Sequence, residues 1–588
     1  MASNKNKRQP IDPSDELRMR VSNHLGLIYH DEDLDALTTK LLGIMDLPAQ
    51  MRKPRWYKNN WSEKDVAVIT YANSIVQEGE LPLRTLNRFL HSRLHKELSW
   101  VHILPFFPFS SDDGFAVIDY VRVNESFGNW DHIYETSGHF KVMADLVINH
   151  CSGMSLWFEQ FRQDKPPGNG YFLEVDPDTD TSLVVRPRTS PLLREVQTLD
   201  GLKYIWCTFS HDQPDLNFRN PDVLAEMVGI IRFYLDRGIR VLRLDAVAFL
   251  WKEQGTNCLN LPQTHEVVRL LRTLMEYYCP GSVLITETNI PNRENLSYFG
   301  NANEAHLIYN FSFPPLMLHA LVTGNCHALK NWMMSMPPAR NGTTFFNFMA
   351  SHDGIGLRPL EGLVAEEELN HLLGHMEDNG GRISWRSLGD GTSRPYEINI
   401  SLFDALKGTL KNPDDGWQED RFICAHTVML SIEGLPAFYI HSLFATTNDY
   451  EKFANTNNNR AINRHNWNLG NLEEVLDKDT HHRRIFNRLK KLIGMRRKQR
   501  AFHPNATMFT LHIGDAVFAY WRQTADREQS IFCLNNITDR DQEVLLSSLN
   551  LVLTDNWYDL ISGTAIEEGQ TSLNLSPYQS VWLTNICC

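Results

Sequence analysis

The sequence of 588 residues has no apolar run that approaches the ~20 residues needed to cross a bilayer as a helix. Its first residues, Met1–Pro10, are too polar to form the core of a secretion signal, so we expect a cytoplasmic protein. Positive charge is also scarce, since 57 Lys and Arg stand against 71 Asp and Glu for a formal net charge of −14. Because an acidic surface repels nucleic acids and anionic membranes, we expect neither as a partner and favour a small-molecule ligand.

Cysteine patterns that would indicate a disulfide framework or a zinc site are missing. The nine cysteines form no Cys-x-x-Cys pair and no Cys/His pair at zinc-ligand spacing. An odd number of cysteines in a long chain is typical of free thiols. The sequence therefore predicts no structural metal.

What the sequence does contain is a repeated alternation of apolar runs and amphipathic segments. With 42% hydrophobic residues, the chain can bury large cores. Eight continuous apolar runs separated by helical stretches predict an α/β fold, the (β/α)8 TIM barrel. An open doubly wound sheet would need a Gly-rich phosphate turn after its first strand, and none follows Tyr71. The eight runs are Val66–Tyr71, Val101–Phe106, Val142–Val147, Ile239–Leu244, Val283–Thr286, Leu307–Phe311, Thr344–Met349 and Pro436–Ile440.

The spacing of these runs predicts how further segments join the barrel. The interval after the third run is too long for one crossover and contains Pro166–Gly168, so we expect a small inserted domain there. A later segment with closely spaced glycines predicts a second, loop-rich insertion, and short alternating strands after Pro504 predict a C-terminal antiparallel β domain. The predicted organisation is an N-terminal helical extension (1–62), barrel segments (63–150, 223–359 and 405–503), an inserted domain (151–222), a loop-rich insertion (360–404) and a C-terminal domain (504–588).

Acidic residues follow several of the predicted strands. Asp245 ends the run that begins at Ile239, Glu287 ends the run that begins at Val283, and His352–Asp353 follow the seventh run. A lone acid after a strand is more often a helix N-cap. Three of them at the carboxyl ends of three strands favour an active site, because barrel enzymes build their sites at that face.

A pair of carboxylates facing one cavity is what glycosidic bond chemistry requires, since one attacks the anomeric carbon and the other protonates the leaving oxygen. Arg243 lies two residues before Asp245 and so on the same face of its strand, where its charge would keep a nucleophilic carboxylate ionised. Glu287 has no cation beside it in sequence. It is the better candidate for a protonated acid whose pKa is raised by burial.

Four segments resemble, in order and spacing, the conserved regions of the α-amylase superfamily: Asp145–His150, Arg243–Asp245, Glu287 and His352–Asp353. Other segments resemble the sucrose phosphorylase subfamily within it, so that the resemblance covers nearly the whole chain. These segments are Leu104–Phe115, Ile118–Tyr120, Arg186–Arg188, Lys252–Glu253 with Gly255–Thr256, Phe313–Leu316 and Asn459–Arg464.

The resemblance implies a role for each matching residue. Asp245 would be the nucleophile, Glu287 the general acid/base and Asp353 the carboxylate that fixes sugar hydroxyls near the reacting carbon. The residues implied to hold the glucosyl unit are Asp112, His150, Arg243, His352 and Arg460, with Phe115 and Phe209 as aromatic platforms and Gln213 as a further substrate contact. The candidate phosphate contacts are Arg188, Arg394 and Tyr396. The subfamily does not depend on calcium, so the resemblance implies no metal and no cofactor, with inorganic phosphate as co-substrate.

Two of these assignments have alternatives. The pattern Asp-x-Gly-Phe favours Asp112 as the pocket residue, but its neighbour Asp113 could take that place. Arg460 could instead be a surface charge, because Asn457–Asn459 before it is typical of a turn.

Some positions depart from the sucrose-specific pattern. Phe249 stands where sucrose phosphorylases usually carry Tyr, Arg394 stands where they usually have an acid, and the N-terminal segment is longer. These features resemble the branch that cleaves glucosylglycerol or glucosylglycerate. The expected reaction is reversible phosphorolysis of an α-glucoside with retention, through a β-glucosyl-enzyme, to α-glucose 1-phosphate. We favour glycerol as the acceptor, then glycerate, then fructose, because phosphate already accounts for Arg394 and leaves no spare cation for a glycerate carboxylate.

Three other functions compete with phosphorolysis. A hydrolase or transglucosidase would use the same residues, and the chemistry of the residues alone does not separate it from a phosphorylase. A non-catalytic amylase-like subunit usually has a membrane anchor and lacks the catalytic acids, whereas this sequence has all three acids and no apparent anchor. A storage-glucan binding protein is disfavoured because no repeated aromatic carbohydrate-binding module is apparent.

Overall fold

The structure, a computed structural model, describes residues 12–47, 53–338, 340–387, 392–552 and 555–586. The polar segment Met1–Pro10 and residues 388–391 of the expected loop-rich insertion lie outside the described residues. None of the described helices is both long enough and apolar enough to cross a membrane.

Eight parallel strands close into a barrel, in which each strand pairs with the next along the chain and the last pairs with the first. The prediction of a (β/α)8 barrel is therefore confirmed. Nearly every strand residue is buried, because helices cover the outside and side chains fill the inside. The strands are β1 (Ala67–Thr70), β2 (Trp100–Ile103), β3 (Lys141–Val147), β4 (Ile239–Asp245), β5 (Val283–Thr286), β6 (Leu307–Tyr309), β7 (Thr344–Phe348) and β8 (Leu435–Tyr439).

Helices surround the barrel, and several begin at recognisable start signals. The helix before β4 begins at Pro221, where proline needs no backbone hydrogen bond, and the Asn220 side chain accepts from the Asp222 N–H. The helices from residue 82 onward are Pro82–Leu94, Trp130–Ser137, Leu156–Arg162, Pro221–Asp236, Pro262–Tyr278, Asn292–Ser297, Phe313–Thr323, His327–Ser335, Glu366–Asp378, Leu402–Ala405, Gln418–Ser431, Ile440–Leu443, Tyr450–Thr456, Leu469–Asp477 and His481–Arg496.

Two long excursions lie on the carboxyl side of the barrel strands. After β3, the chain forms a small unit with the antiparallel pair Leu193–Thr198 and Gly201–Trp206. After β7, the segment expected to be loop-rich also contains regular structure, namely the helix Glu366–Asp378 and a hairpin of Arg382–Ser387 with Ser393–Asn399. Gly380, with φ +88°, and Gly381 mark the end of that helix and not a long loop. We refer to this hairpin as the rim hairpin.

The C-terminal region is a separate antiparallel β structure with its own apolar cluster around Phe532, Leu583 and Trp557. This agrees with the expectation from the short alternating strands after Pro504. Its five-stranded sheet contains Thr507–Leu511, Val517–Gln523, Ser530–Asn536, Ser580–Thr584 and Tyr558–Asp559, and a second sheet pairs Gln542–Leu545 with Ser572–Leu575.

The N-terminal extension contains two helices, Pro13–Ile28 and Leu34–Met45. The first packs on the helix Pro262–Tyr278 that follows β4, and the second on the helix Pro221–Asp236 that precedes it. Their buried faces are apolar at helical spacing, with Leu17, Val21, Leu25 and Ile28 on the first and Leu37, Leu41 and Met45 on the second. The extension is therefore an outer layer over the strand that ends in Asp245.

Candidate active site

Three carboxylates from three strand ends line one pocket at the carboxyl face of the barrel. Asp245 is the last residue of β4, Glu287 follows β5 directly, and Asp353 lies in the loop after β7. Nine other residues that the sequence pointed to line the same pocket. They are Asp112, Phe115, His150, Arg188, Phe209, Gln213, His352, Tyr396 and Arg460.

Arg243 lies beneath the pocket and holds the carboxylates from below. Its guanidinium is buried, and Nη1 donates to Asp145 Oδ1 and, at 2.7 Å, to Asp245 Oδ1. Nη2 is 3.8 Å from Glu287 Oε2. Asp145 is held in turn by His102 Nε2, 2.7 Å from its Oδ2. A single cation thus orders the floor of the site, but it does not line the pocket.

The carboxyls of Asp245 and Glu287 are both buried next to Arg243. Burial raises the pKa of both groups, Arg243 opposes this rise, and the charge of Glu287 raises the pKa of Asp245 further. The expectation that Arg243 keeps Asp245 ionised is therefore opposed by burial. Arg243 contacts Asp245 more closely than Glu287, which favours the negative charge on Asp245 and the proton on Glu287. Glu287 Oε2 also accepts from the Ala246 N–H at 2.9 Å.

Arg460 joins Asp353 to a carboxylate that the sequence analysis missed, Glu397. Its Nη1 is 2.6 Å from Asp353 Oδ1, while Nε and Nη2 donate to the two oxygens of Glu397 at 2.9 and 3.0 Å. Although burial alone would raise it, Arg460 and His352 hold the pKa of Asp353 below its usual range. The Arg460 side chain is only 14% exposed, so the alternative of a surface charge is wrong.

Neutral imidazoles and an aromatic ring form the closed end of the pocket. Burial lowers the pKa of His150 to about 4 and places that of His352 well below its ordinary value. The His352 ring stacks on Phe115, with centroids 5.0 Å apart and planes at 6°. His150 Nε2 lies 3.2 Å from Gln213 Nε2. These groups present uncharged hydrogen-bonding atoms and an apolar face, which suits a sugar ring.

The two neighbouring aspartates separate into different environments. Asp112 lines the pocket, whereas Asp113 Oδ2 accepts from Arg464 Nη1 at 2.5 Å. Both have positive φ, 52° and 48°, so the backbone turns sharply at this point. The geometry agrees with the choice of Asp112 from the sequence pattern.

The structure does not bring Arg394 into the pocket, and this corrects its expected place as a phosphate contact. Arg394 is exposed on the rim hairpin, where its pairing partner across the strands is Arg386. Its register therefore leaves it in solvent, while Tyr396, two residues later, is buried at the pocket. A basic residue close to Tyr396 in sequence is not sufficient to place a cation in the site.

Arg358 is the arginine that takes a place in the pocket. It belongs to the short turn Arg358–Leu360, and among the described residues its buried Nε has no hydrogen-bond partner. Burial and the nearby charge of Arg386 lower its pKa. Its position in the loop after β7, five residues beyond Asp353, is the signal that could have identified it.

Arg188 is the second arginine of the pocket without a carboxylate partner among the described residues. Its guanidinium lies over the Phe209 ring, 5.7 Å from the centroid, and Nη1 donates to the Pro187 carbonyl at 3.3 Å. Two cations that have no carboxylate within ion-pair distance among the described residues can receive an anionic ligand.

Comparison with known proteins finds related enzymes and a related fold. Residues 97–357 match the α-amylase catalytic domain. The chain is 41% identical to a glucosylglycerate phosphorylase from Allomeiothermus silvanus over 97% of this chain and 99% of that protein. It is 28% identical to a glucosylglycerol phosphorylase from Marinobacter adhaerens over 71% and 85%. The crystal structure of sucrose 6F-phosphate phosphorylase from Thermoanaerobacter thermosaccharolyticum superposes with a TM-score of 0.70 at 25% identity, covering 81% of this chain and 94% of that one.

The barrel, its strand-end carboxylates and these matches together define the class: the chain belongs to the α-amylase family. Within that family it is a glucoside phosphorylase, an enzyme of the hexosyltransferase type.

Proposed function

We propose that the enzyme is a glucosylglycerate phosphorylase, which converts an α-glucosylglycerate and inorganic phosphate into α-glucose 1-phosphate and glycerate. The observation that carries this proposal is the 41% identity to a protein of that activity over nearly the full length of both chains. The identity to a glucosylglycerol phosphorylase is 28% over a smaller share. This supports glycerate over glycerol, which the sequence analysis had placed first.

The charges in the pocket support the same choice. Glycerol had been preferred because Arg394, the cation that could have met a glycerate carboxylate, was already assigned to phosphate. The pocket contains Arg188, which was also a candidate phosphate contact, and in addition Arg358. Neither has a carboxylate partner among the described residues, so a cation is available for the carboxylate of glycerate. Because the two anions bind in succession, the same arginines can serve glycerate first and phosphate after it leaves.

The proposed reaction has two displacements. In the first, the Asp245 carboxylate attacks the anomeric carbon and the bond to the glycerate oxygen breaks, while Glu287 donates its proton to that oxygen. In the second, a phosphate oxygen attacks the glucosyl ester, the bond to Asp245 breaks, and Glu287 recovers a proton from phosphate. Two inversions give net retention. Asp353 and Asp112, with the neutral imidazoles, would hold the glucosyl hydroxyls, and we propose that no metal or cofactor takes part.

Substrate comparison tests the proposal directly. The enzyme is supplied with glucosylglycerate, glucosylglycerol or sucrose, each with and without phosphate, and glucose and glucose 1-phosphate are measured separately. We expect glucose 1-phosphate only when phosphate is present, formed fastest from glucosylglycerate. Faster turnover of either other substrate would refute the choice of glycerate, and equal release of glucose without phosphate would refute phosphorolysis. Prior dialysis against a chelator should leave the rates unchanged.

A further inference from the structure

A second cavity continues outward from the catalytic pocket. The two share Asp112, Arg188, Gln213, Tyr396, Glu397 and Arg460 as a common wall. The inner cavity is narrow, about 70 Å³, whereas the outer one is about 650 Å³ and open to solvent. We call the second cavity the outer groove. Its volume is within the range of small-molecule binding sites, so the groove has room for a ligand larger than a three-carbon acceptor.

The outer groove has an aromatic side chain on its far wall. Trp385, on the rim hairpin, lines the groove and is 51% exposed, which is unusual for so large a ring. The pairing register of the hairpin shifts between Ser384 and Trp385, and irregularities of this kind re-aim a side chain. An exposed ring beside a catalytic pocket offers a flat apolar face to a ligand.

Apart from Ile383, the remainder of the far wall is polar and uncharged. Asn457, Asn458 and Asn459 line it together with Ser384. The Asn459 side chain donates to Ser384 Oγ at 3.2 Å, which ties this loop to the rim hairpin. The wall shared with the catalytic pocket carries two acids, Asp112 and Glu397, and two arginines, Arg188 and Arg460, and Glu397 is paired with Arg460. Amides and hydroxyls around an aromatic face suit a neutral polyhydroxylated ring better than an anion or an apolar chain.

We propose that the outer groove is a subsite for one neutral hexose ring attached to the acceptor. The enzyme would then use acceptors that already carry a sugar, in addition to the small acceptor itself. The outer subsite rests on the glucosyl-transfer chemistry of the enzyme. The choice of glucosylglycerate as an extended acceptor rests on the proposed function, in which glycerate is the small acceptor.

The group-transfer step is the ordinary second displacement with a different nucleophile. A hydroxyl of the glycosylated acceptor attacks the anomeric carbon of the glucosyl ester on Asp245, and the ester bond to that carboxylate breaks. Glu287 takes the hydroxyl proton. Starting from glucose 1-phosphate and a monoglucosylated acceptor, the products are a diglucosylated acceptor and inorganic phosphate.

The test compares short and extended acceptors. Wild-type enzyme receives glucose 1-phosphate with glycerate or glucosylglycerate and, in parallel, with glycerol or glucosylglycerol, and products are identified by mass. We expect a diglucosylated product from glucosylglycerate or from glucosylglycerol, whichever belongs to the pair that reacts faster. In Trp385→Ala, the ratio of kcat/KM for the extended over the short acceptor should fall about tenfold, the loss expected when a ring face loses its apolar contact.

A matched control and the contrary outcomes keep the test decisive. Phe509→Ala removes a half-exposed ring from the C-terminal domain and should leave that ratio unchanged. Absence of any diglucosylated product in wild type, or an unchanged ratio in Trp385→Ala, would overturn the outer subsite. A result in which the glycerol pair outperforms the glycerate pair, with the ratio still dependent on Trp385, would refute the proposed substrate and retain the subsite.

Discussion

The arginines of the site are neutralised in two opposite ways. Arg243 is buried between Asp145 and Asp245, and Arg460 between Asp353 and Glu397, so each of these cations has protein carboxylates as partners. Arg188 and Arg358 line the same pocket, and among the described residues neither has a carboxylate within ion-pair distance. The difference teaches that the paired arginines hold the catalytic carboxylates in place without a ligand, whereas the unpaired arginines are available to an anionic ligand.

Removing the nucleophile should have the largest effect. In Asp245→Asn no covalent ester can form, so we expect kcat/KM to fall by at least ~10⁴ while the circular dichroism spectrum and Tm stay close to those of wild type. The comparison predicts that no variant of Arg188 or Arg358 approaches this loss. Residual phosphorolysis above ~1% would place the nucleophile elsewhere.

Glu287→Gln should follow, with a loss that depends on the leaving group. General acid catalysis contributes ~10² to 10⁴, so glucosylglycerate should be cleaved slowly, and α-glucosyl fluoride, whose leaving group needs no proton, should lose less. Burial raises the pKa of Glu287, so the protonated acid is present below that pKa and activity falls as pH rises through it. Glutamine should abolish this alkaline limb of the kcat/KM profile. Equal losses on both donors would contradict the role.

The pairing of Arg460 with its carboxylates can be weakened at Glu397. In Glu397→Gln an amide nitrogen replaces one of the two acceptor oxygens, so one of the two hydrogen bonds from Arg460 is lost and Arg460 is no longer fixed against Asp353. We expect kcat/KM to fall ~10- to 100-fold, since supporting groups of this kind typically cost that much. The matched control is Glu361→Gln, whose carboxylate pairs with Arg386 outside the pocket. An equal effect in both variants would indicate general damage to the rim.

Arg358→Ala and Arg394→Ala form a matched pair that compares an arginine of the pocket with an exposed one. The first removes a cation that lines the pocket, so we expect KM for phosphate and for glycerate to rise ~10-fold with a smaller effect on glycerol as acceptor. The second removes an exposed guanidinium and should change either constant less than twofold. The reverse pattern, measured in the same assays, would restore Arg394 as the anion contact.

The smallest effect is expected far from the pocket, at the N-terminal layer. His24 Nδ1 contacts Glu266 Oε1 at 2.5 Å. Burial raises the pKa of Glu266, but the hydrogen bonds from His24 and Arg269 lower it overall. A carboxyl whose pKa is lowered in the folded protein stabilises the fold at pH values above its ordinary pKa. This stability is lost as the pH falls through the lowered pKa. His24→Ala should reduce Tm by ~2 °C or less at pH 7 and leave kcat/KM unchanged. The reduction in Tm should be smaller at acidic pH.

How far the sequence could predict the residues of the pocket depends on the backbone element that carries each of them. Asp245 and Glu287 end continuous apolar strands, so the position of each strand end places them at one face of the barrel. Arg394 lies on a hairpin whose register shifts at Trp385, and simple alternation from Tyr396 does not report which side chains reach the pocket. Glu397 was missed for the same reason, since it lies on that hairpin, whereas Arg358 was missed although its loop follows β7 just beyond Asp353.

The docking of the N-terminal helices has a consequence for synthesis of the chain. The pair His24 and Glu266 is separated by 242 residues, so the helix Pro13–Ile28 emerges from the ribosome long before the helix it covers. At ~5 to 20 residues per second, its apolar face waits on the order of ten to fifty seconds without its partner. During that interval Leu17, Val21 and Leu25 are available to other chains and to chaperones. A chain without these two helices would leave uncovered the faces of Pro221–Asp236 and Pro262–Tyr278 on which they pack.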